Sequence, residues 1–245
     1  MVRLQARTLF RRLVNLASVA VVALAAPVLA PAVANADTVT SPLWSGHVTK
    51  PGSVSQAAGS WQVPRLNCDP RERSGASQWI GLNGVNTGLV QTGIVSRCAT
   101  GVQINVAFYQ VIPKNSTAQY LSPTTYPVFT GTIVDAEIRH DSGNQYSISL
   151  SGGAWNFSKN VSYDTTPKTA EWIVESGDRG GTADDLSNFG TIHFEAARFN
   201  DKLVTNDDTV KFIATGSDGR PKTKITDIDQ YGGHGPNFDV KWVRR

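Results

Sequence analysis

Metal-binding spacings, cysteines and unbroken apolar runs are all scarce in this sequence. Its 245 residues include only two cysteines and one methionine. Neither cysteine belongs to a Cys-x-x-Cys pair and no His-x-x-x-His occurs, so the usual ligand spacings of zinc sites are missing. The longest apolar run, from residue 13 to about 30, is broken by Asn15, Ser18 and Pro27, whereas a membrane helix needs about 20 predominantly apolar residues. We expect no metal site, no cofactor and no membrane span.

The first 36 residues have the pattern of a secretory signal peptide. Basic residues without any acidic residue precede the apolar run, namely Arg3, Arg7, Arg11 and Arg12. The segment ends in Ala34-Asn35-Ala36, small residues of the kind found at a cleavage site. We therefore expect residues 1–36 to be removed during export, by an undetermined route, and the secreted protein to begin at Asp37.

Removal of those 36 residues leaves 209, a length that suits one domain over 37–245. The four arginines lost with the signal leave 19 of the 23 basic residues against 20 acidic residues. A chain of nearly balanced charge lacks the basic excess that nucleic-acid binding requires. We expect a monomeric extracellular protein that has no nucleic-acid partner and no contact with the membrane after cleavage.

Apolar and polar residues alternate with a period of two after residue 44. Tyr146, Ile148 and Leu150 alternate with serines, and segments 192–196 and 238–242 follow the same pattern. Such alternation is typical of strands with one buried face. Turn-forming residues cluster at 141–144, 151–153, 217–219 and 231–233. No segment has helical spacing, so we predict an all-β fold of antiparallel sheets packed as a β-sandwich.

Both cysteines, Cys68 and Cys98, lie in the part predicted to be exported. Two cysteines in an exported protein usually pair. We predict a disulfide between them, which would close a loop of about 30 residues and stabilise the fold by roughly 3 to 4 kcal/mol in the chain-entropy account.

Several short sequence blocks follow one another along the chain. They are Trp-Ser-Gly-His-Val at 44–48, Ser-Trp-Gln-Val-Pro at 60–64, Trp-Ile-Gly-Leu-Asn-Gly at 79–84, Val-Gln-Thr-Gly at 90–93, Ala-Glu-Trp-Ile-Val-Glu at 170–175 and Phe-Gly-Thr-Ile at 189–192. In order and spacing the set resembles the glutamic peptidases, or eqolisins. The resemblance implies a lectin-like (concanavalin A-like) jelly-roll sandwich and an acid-active secreted endopeptidase that acts on polypeptides.

The same resemblance implies that Gln91 and Glu175 are the catalytic pair. Peptide hydrolysis needs a base that activates water and a donor that stabilises the oxyanion. A carboxylate supplies the base, and a carboxamide donates hydrogen bonds without adding negative charge. Glu175 would then be the general base and Gln91 the oxyanion-stabilising group.

The alternation of side chains along a strand predicts which residues share a face with Gln91 and with Glu175. On one strand, residues 89, 91 and 93 would share a face, and on another strand residues 171, 173 and 175 would do so. Both polar candidates can therefore project from a solvated sheet face above a packed core. We expect Glu171 to be a cleft wall or surface residue and not a second catalytic acid.

The resemblance further implies substrate-binding roles for Trp79, Asn83, Tyr109 and Gln110. Trp79 fits a cleft position and a core position equally well. Asn83 stands where the family has Asp, and the family's aromatic-Asp pair after Gln-Thr-Gly is Ile94-Val95 here. Substrate preference is therefore left open by the sequence.

Other functions are compatible with a lectin-like sandwich. A non-catalytic module that binds carbohydrate or protein is the main alternative, and acidic clusters at 206–208 and 227–229 suggest calcium ligands only weakly. Lectin-like glycosidases also carry two glutamates four residues apart, but they place an aspartate midway, where this chain has Ile173. Serine hydrolysis has no support, since no Gly-x-Ser-x-Gly occurs.

Overall fold

The computed structural model describes residues 37–71, 73–85, 88–114, 117–179, 182–183, 185–231 and 233–245, without the side chains of 178–179 and 182–183. The predicted signal peptide lies outside these residues. In the described part of the chain every regular element is a β-strand. None of it forms a helix long and apolar enough to cross a membrane.

The described residues form nineteen β-strands. They are β1 (Asp37–Ser41), β2 (Trp44–Thr49), β3 (Gln56–Gln62), β4 (Ser74–Leu82), β5 (Leu89–Ala99), β6 (Val102–Ile112), β7 (Gln119–Tyr120), β8 (Ile133–Ser142), β9 (Gln145–Gly152), β10 (Trp155–Ser162), β11 (Ala170–Glu175), β12 (Asp178–Arg179), β13 (Thr182–Ala183), β14 (Asp185–Leu186), β15 (Thr191–Phe199), β16 (Lys202–Leu203), β17 (Thr209–Ala214), β18 (Thr223–Ile225) and β19 (Phe238–Trp242).

Two large sheets, which we call sheet A and sheet B, contain nearly all of these strands. Sheet A has the order β1-β17-β2-β11-β4-β5-β6-β7, with β14 beside β4. Sheet B has the order β10-β9-β8-β3-β15-β19-β18, with β16 beside β15. Pairing is antiparallel except between β1 and β17 and between β14 and β4. The prediction of an antiparallel β-sandwich is confirmed.

Apolar side chains from the facing sides of the two sheets form the main core. Trp172 of β11 and Trp61 of β3 are fully buried there. Trp172 donates its indole N–H to the backbone oxygen of Ala58, 2.8 Å away. A Cβ added to Gly59 would lie 3.0 Å from the Trp172 ring, so this glycine makes room for the indole.

Most of the predicted alternation is present, with one exception in β15. Ile192 and Phe194 are buried as predicted, but Ala196 is only half-buried and has φ 50°. The β3–β15 register shifts between Glu195 and Arg198, which is the signature of a β-bulge. Ala197 occupies the buried position instead, so the prediction for Ala196 was wrong.

The turns that connect β8 to β9 and β9 to β10 require glycine. Gly143 and Gly153, in the predicted turns after β8 and β9, have φ 57° and 61°. This left-handed region carries no steric cost for glycine.

The disulfide between Cys68 and Cys98 is present, with 5.3 Å between Cα atoms. It ties the segment before β4 to the end of β5, so it closes one end of the strand pair that carries the Gln-Thr-Gly block. This pairing confirms the prediction.

Side chains of the two acidic clusters have structural partners. Asn206 binds both backbone polar groups of Ile228, and Asp208 accepts hydrogen bonds from the backbone and hydroxyl of Thr205. Asp227 pairs with Lys211. Within the described residues no group of three or more His, Cys, Asp or Glu side chains is arranged to hold a metal ion.

Candidate active site

A second, smaller core lies on the other face of sheet A. It contains Trp79, Leu89, Phe108 and Ile173, which alternate along their strands with residues of the main core. The predicted faces of β5 and β11 are therefore confirmed. The polar candidates project from the same side as this smaller core, which we call the outer face of sheet A.

Glu175 lies at the end of β11, between two tryptophans. In register it faces Trp44 of β2 on one side and Ser77 of β4 on the other. Trp44 Nε1 donates to Glu175 Oε1 at 3.1 Å, and Trp79 Nε1 donates to Glu175 Oε2 at 2.9 Å. Each carboxylate oxygen is thus held by one indole N–H, a charge-assisted arrangement that fixes the orientation of the carboxylate.

The two indoles also support one another. The rings of Trp44 and Trp79 meet edge to face, with centroids 5.0 Å apart and planes at 79°. This is a favourable geometry for aromatic pairs. Trp79 is fully buried and Trp44 is half-buried, so one donor is rigidly enclosed and the other borders solvent.

Gln91 lies on β5, in register with Gly81 of β4 and Gln110 of β6. Its Nε2 donates to Gln110 Oε1 at 2.9 Å. A carboxamide nitrogen carries two hydrogens, so one of them is still available to a substrate. The Gln91 carbonyl oxygen is buried and has no hydrogen-bond partner in the described part of the protein.

Gln91 and Glu175 line one cavity of about 590 Å³ on this outer face. Their strands are two apart in the register: Glu175 is in register with Val95 through Ser77, and Gln91 lies four residues before Val95 on β5. The cavity also reaches Gln110 and Ser176. A substrate bound in this cavity can therefore contact both the carboxylate and the carboxamide.

Two glycines shape the sheet between the pair. A Cβ added to Gly93 would lie 2.1 Å from Gln78 O and 2.7 Å from Trp79 Cα. One added to Gly81 would lie 2.7 Å from the Leu89 side chain and 2.9 Å from the Trp79 ring. Gly93 is thus required for the close approach of β4 and β5, and Gly81 leaves room for the Leu89 and Trp79 side chains.

Glu171, which we expected at a cleft wall or the surface, is fully buried. Its Oε1 accepts hydrogen bonds from the Thr169 hydroxyl at 2.5 Å and from Gly84 N at 3.0 Å. Oε2 has no partner among the described residues. Burial raises the pKa of Glu171 to about 7, opposed by those two hydrogen bonds. Its surface placement was wrong, because the outer face carries a core of its own.

The four residues expected to bind substrate are in different surroundings. Gln110 lines the cavity and binds Gln91. Trp79 combines the two roles that the sequence left open, since its ring is in the smaller core and its N–H reaches Glu175.

Asn83 and Tyr109 lie away from the cavity lining. Asn83 is buried with φ 74°, and its side chain binds Thr165 and the backbone N–H of Lys168. Tyr109 is on the opposite face of β6 from Gln110, stacked on Phe157 at 5.7 Å.

The sequence reasoning did not identify Trp44 as a site residue. It belongs to the first of the recurring blocks, and its importance depends on the pairing of β2 with β11. Strand pairing over 131 residues of sequence separation leaves no local signal. Ser77 and Arg97, which also line the cavity, were missed for the same reason.

The arrangement contains the parts needed to attack a carbonyl carbon with water. It has a carboxylate in a fixed orientation, a carboxamide with a free N–H, and a cavity between them open to solvent. General-base and oxyanion-stabilising functions require such groups on either side of the reacting atom.

Several solved structures with a similar fold are glutamic peptidases. Scytalido-glutamic peptidase, solved with a transition-state analogue inhibitor, has a TM-score of 0.68 and 16% identity, covering 82% of this chain and 98% of that one. SCP-B, an eqolisin solved with the tripeptide Ala-Ile-His, has a TM-score of 0.61, 17% identity and the same coverage. The aspergilloglutamic peptidase of Aspergillus niger has a TM-score of 0.52 and 19% identity, covering 69% and 99%.

Comparison of the sequence with known families identifies the family to which this chain belongs. No curated protein matches the chain significantly. The sequence profile of the Peptidase A4 family, however, matches residues 42–230, which includes every strand that borders the cavity. The chain therefore belongs to the Peptidase A4 family, the eqolisin glutamic peptidases, which are hydrolases that cleave peptide bonds.

Proposed function

We propose that this protein is a secreted, acid-active endopeptidase in which Glu175 and Gln91 form the catalytic pair. The observation that carries the proposal is the shared cavity: Gln91 and Glu175 both line it, and two indole N–H groups hold the Glu175 carboxylate. Family membership supports peptide-bond hydrolysis as the reaction.

In this mechanism a water molecule lies between the carboxylate and the scissile carbonyl. Glu175 accepts a proton as the water oxygen bonds to the carbonyl carbon, and the free N–H of Gln91 donates to the developing oxyanion. The tetrahedral intermediate then collapses and the C–N bond breaks. Glu175 returns its proton to the leaving nitrogen, giving a carboxylic acid and an amine.

Gln110 orients the proposed oxyanion donor. Its Oε1 accepts one Nε2 hydrogen of Gln91, which leaves the other hydrogen in a fixed direction. Preorganised donors of this kind stabilise a transition state more than mobile ones, because no reorganisation is needed during the reaction.

The proposal also includes export of the protein from the cell. The Cys68–Cys98 disulfide fits an extracellular protein, and the pattern of residues 1–36 supports removal of a signal peptide. N-terminal sequencing of the secreted protein should give Asp37 as the first residue.

Activity should be measured by digestion of an unfolded protein between pH 3 and 7, with and without pepstatin. We expect acidic activity that pepstatin does not inhibit. Glu175→Gln and Gln91→Glu should each lower kcat/KM at least about a hundredfold, the usual effect of losing an acid–base or oxyanion group.

Matched substitutions on sheet B distinguish chemistry from general damage. Glu137→Gln and Gln62→Glu make the same changes at positions on β8 and β3 and should retain wild-type rates. Circular dichroism should show that all four variants are folded. Wild-type activity in either cavity variant would contradict the assignment of the pair.

A further inference from the structure

A second cavity adjoins the candidate active site. It has a volume of about 780 Å³, and its lining includes the apolar side chains of Ile104 and Leu121. The two cavities share Val95, Arg97 and Tyr120 in their walls. Arg97 and Tyr120 therefore stand where the active-site cavity continues into the apolar cavity.

The guanidinium of Arg97 is held in place by Tyr120 and has no carboxylate partner among the described residues. Its Nη2 donates to the Tyr120 hydroxyl at 2.6 Å, and its Cζ lies 5.5 Å from the centroid of the Tyr120 ring. No carboxylate pairs with Arg97 or with Arg73, which lines the apolar cavity, anywhere in the part of the chain that is described. Most of the five guanidinium N–H donors of Arg97 are thus available to a ligand.

The strand register fixes how far this charge lies from the catalytic carboxylate. Val95 is in register with Glu175 through Ser77, and Arg97 is the next residue of β5 on the same face. The offset is about 7 Å along the strands and about 10 Å across two strand spacings. The two offsets combine to a distance of about 12 Å between Glu175 and Arg97. An extended peptide spans about 12 Å in roughly three to four residues.

We propose that Arg97, assisted by Arg73, selects substrates with an aspartate or glutamate roughly three to four residues from the scissile bond. The inference rests on the proposed peptidase function and adds a specificity-determining residue to it. A carboxylate suits this position because a guanidinium binds it through paired N–H donors.

The substrate carboxylate that binds Arg97 belongs to an acidic side chain within the peptide and not to the peptide's C-terminus. The apolar cavity extends along β5 past Arg97 to Ala99 and Thr100. A substrate that fills it must continue beyond the arginine, so an apolar residue follows the acidic one. Continuity of the two cavities and charge complementarity together define this subsite.

The test is a scan of internally quenched peptides at pH 5.5, where a glutamate side chain is ionised. Glu, Gln or Lys is placed at each of the second to fifth positions on both sides of the cleaved bond. At one position we expect kcat/KM for Glu to exceed that for Gln by about five- to tenfold, with Lys lower still. At pH 3 the preference should disappear, because the substrate carboxylate is then protonated.

Variants of Arg97 should change this ratio in a defined way. Arg97→Gln should bring the Glu-to-Gln ratio close to one, and Arg97→Glu should make Lys the preferred residue. Lys159→Ala removes an exposed positive charge from β10 of sheet B and should keep the wild-type ratio. Because each ratio is read within one preparation, a lower yield of folded variant does not alter it.

Several outcomes would overturn the inference. A wild-type ratio of one at every position would do so, as would an unchanged ratio in Arg97→Gln. Peptides with free and amidated C-termini are compared in parallel, and a preference that follows the free terminus would assign Arg97 to chain ends instead.

Failure of the proposed peptidase function is recognised separately. If wild-type protein cleaves none of the peptides, fluorescence anisotropy with labelled Glu and Gln peptides measures binding alone. Tighter binding of the Glu peptide that is lost in Arg97→Gln supports the subsite, and equal binding of both peptides rejects it.

Discussion

Two tryptophans that take no direct part in the proposed reaction fix the orientation of the Glu175 carboxylate. Trp44 and Trp79 come from β2 and β4, the strands on either side of β11, and each gives its indole N–H to one carboxylate oxygen. Phenylalanine preserves most of the ring but has no N–H. A change to phenylalanine therefore removes the hydrogen bond while keeping most of the packing.

We expect Trp79→Phe and Trp44→Phe each to lower kcat/KM by about tenfold or more, the effect of one lost charge-assisted hydrogen bond. The acid limb of the pH–rate profile should move to higher pH, because the lost donor favoured the ionised carboxylate. A merely structural role would leave that limb in place.

A matched control is available on sheet B for these tryptophans. Trp155 is buried and donates its indole N–H to the backbone oxygen of Pro127 at 2.7 Å. Trp155→Phe should lower the melting temperature without moving the pH–rate profile. A profile shifted equally by Trp155→Phe would show that the effect is not specific to the carboxylate.

At the level of the elements, strand β5 carries both the proposed catalytic Gln91 and the proposed specificity residue Arg97. One face of this strand carries Gln91, Gly93, Val95 and Arg97 in succession, and its neighbour β4 approaches closely at Gly93. A Cβ there would lie 2.1 Å from the backbone oxygen of Gln78. Backbone atoms cannot move aside as a flexible side chain can, so any other residue would displace the two strands.

Gly93→Ala should accordingly destabilise the protein by about 1 to 3 kcal/mol or more, the usual cost of overpacking. Denaturant unfolding measures this loss, and kcat/KM should fall as well because Gln91 and Trp79 are displaced. Gly52→Ala is the control, since the nearest atom to its Cβ is 4.0 Å away. A Gly93→Ala variant as stable as Gly52→Ala would contradict the close approach of β4 and β5.

The sequence predicted strand faces well, because period-two alternation is a local property. It placed residues 89, 91 and 93 together and separated Trp172 from Ile173, as the two cores require. The same rule implies that Tyr109 and Gln110 cannot share a face, so only one of them could line the cavity. The resemblance to a family motif does not make that distinction.

Features that depend on register were beyond the sequence. Strand pairing and its offset determine where Gln91 lies relative to Glu175, and they also bring Trp44 beside Glu175 and bury Glu171. A bulge such as that near Ala196 changes the facing of later residues without any change in composition.

On the scale of the whole molecule, two buried groups give stability opposite dependences on pH. The folded-state pKa of Glu171 is raised to about 7 by burial, above the unfolded value near 4.5. The folded protein therefore retains a proton that the unfolded chain loses, and stability falls as pH rises between those values.

His47 acts in the other direction. Its two ring nitrogens bind Thr209 Oγ1 at 2.9 Å and the backbone oxygen of Thr226 at 3.0 Å, in a buried position between the sheets. Burial lowers its pKa to about 4, from an ordinary value of 6.5. The unfolded chain binds the proton first, so stability falls as pH drops from about 6.5 to about 4.

Surface carboxylates add a loss of stability at still lower pH. Hydrogen bonds from Arg71 and Arg139 hold the pKa values of Asp69 and Asp201 below their usual range. Groups with lowered pKa stabilise the fold above their unfolded value, and that contribution disappears on acidification. Both ion pairs lie at the protein surface, so each contribution is small.

Between about pH 4.5 and 6.5 the effects of Glu171 and His47 oppose each other, so the wild-type protein should show a nearly flat stability profile there. Glu171→Gln removes one of the two dependences and keeps an oxygen that can accept from Thr169 and Gly84. Its stability should rise with pH across this window by up to about 1.4 kcal/mol per pH unit, because His47 then acts alone. Urea unfolding at pH 4.5, 5.5, 6.5 and 7.5 measures the slope, with the sheet B substitution Glu137→Gln as control. Parallel profiles for wild type and Glu171→Gln would mean that Glu171 releases its proton at the same pH in the folded and unfolded states.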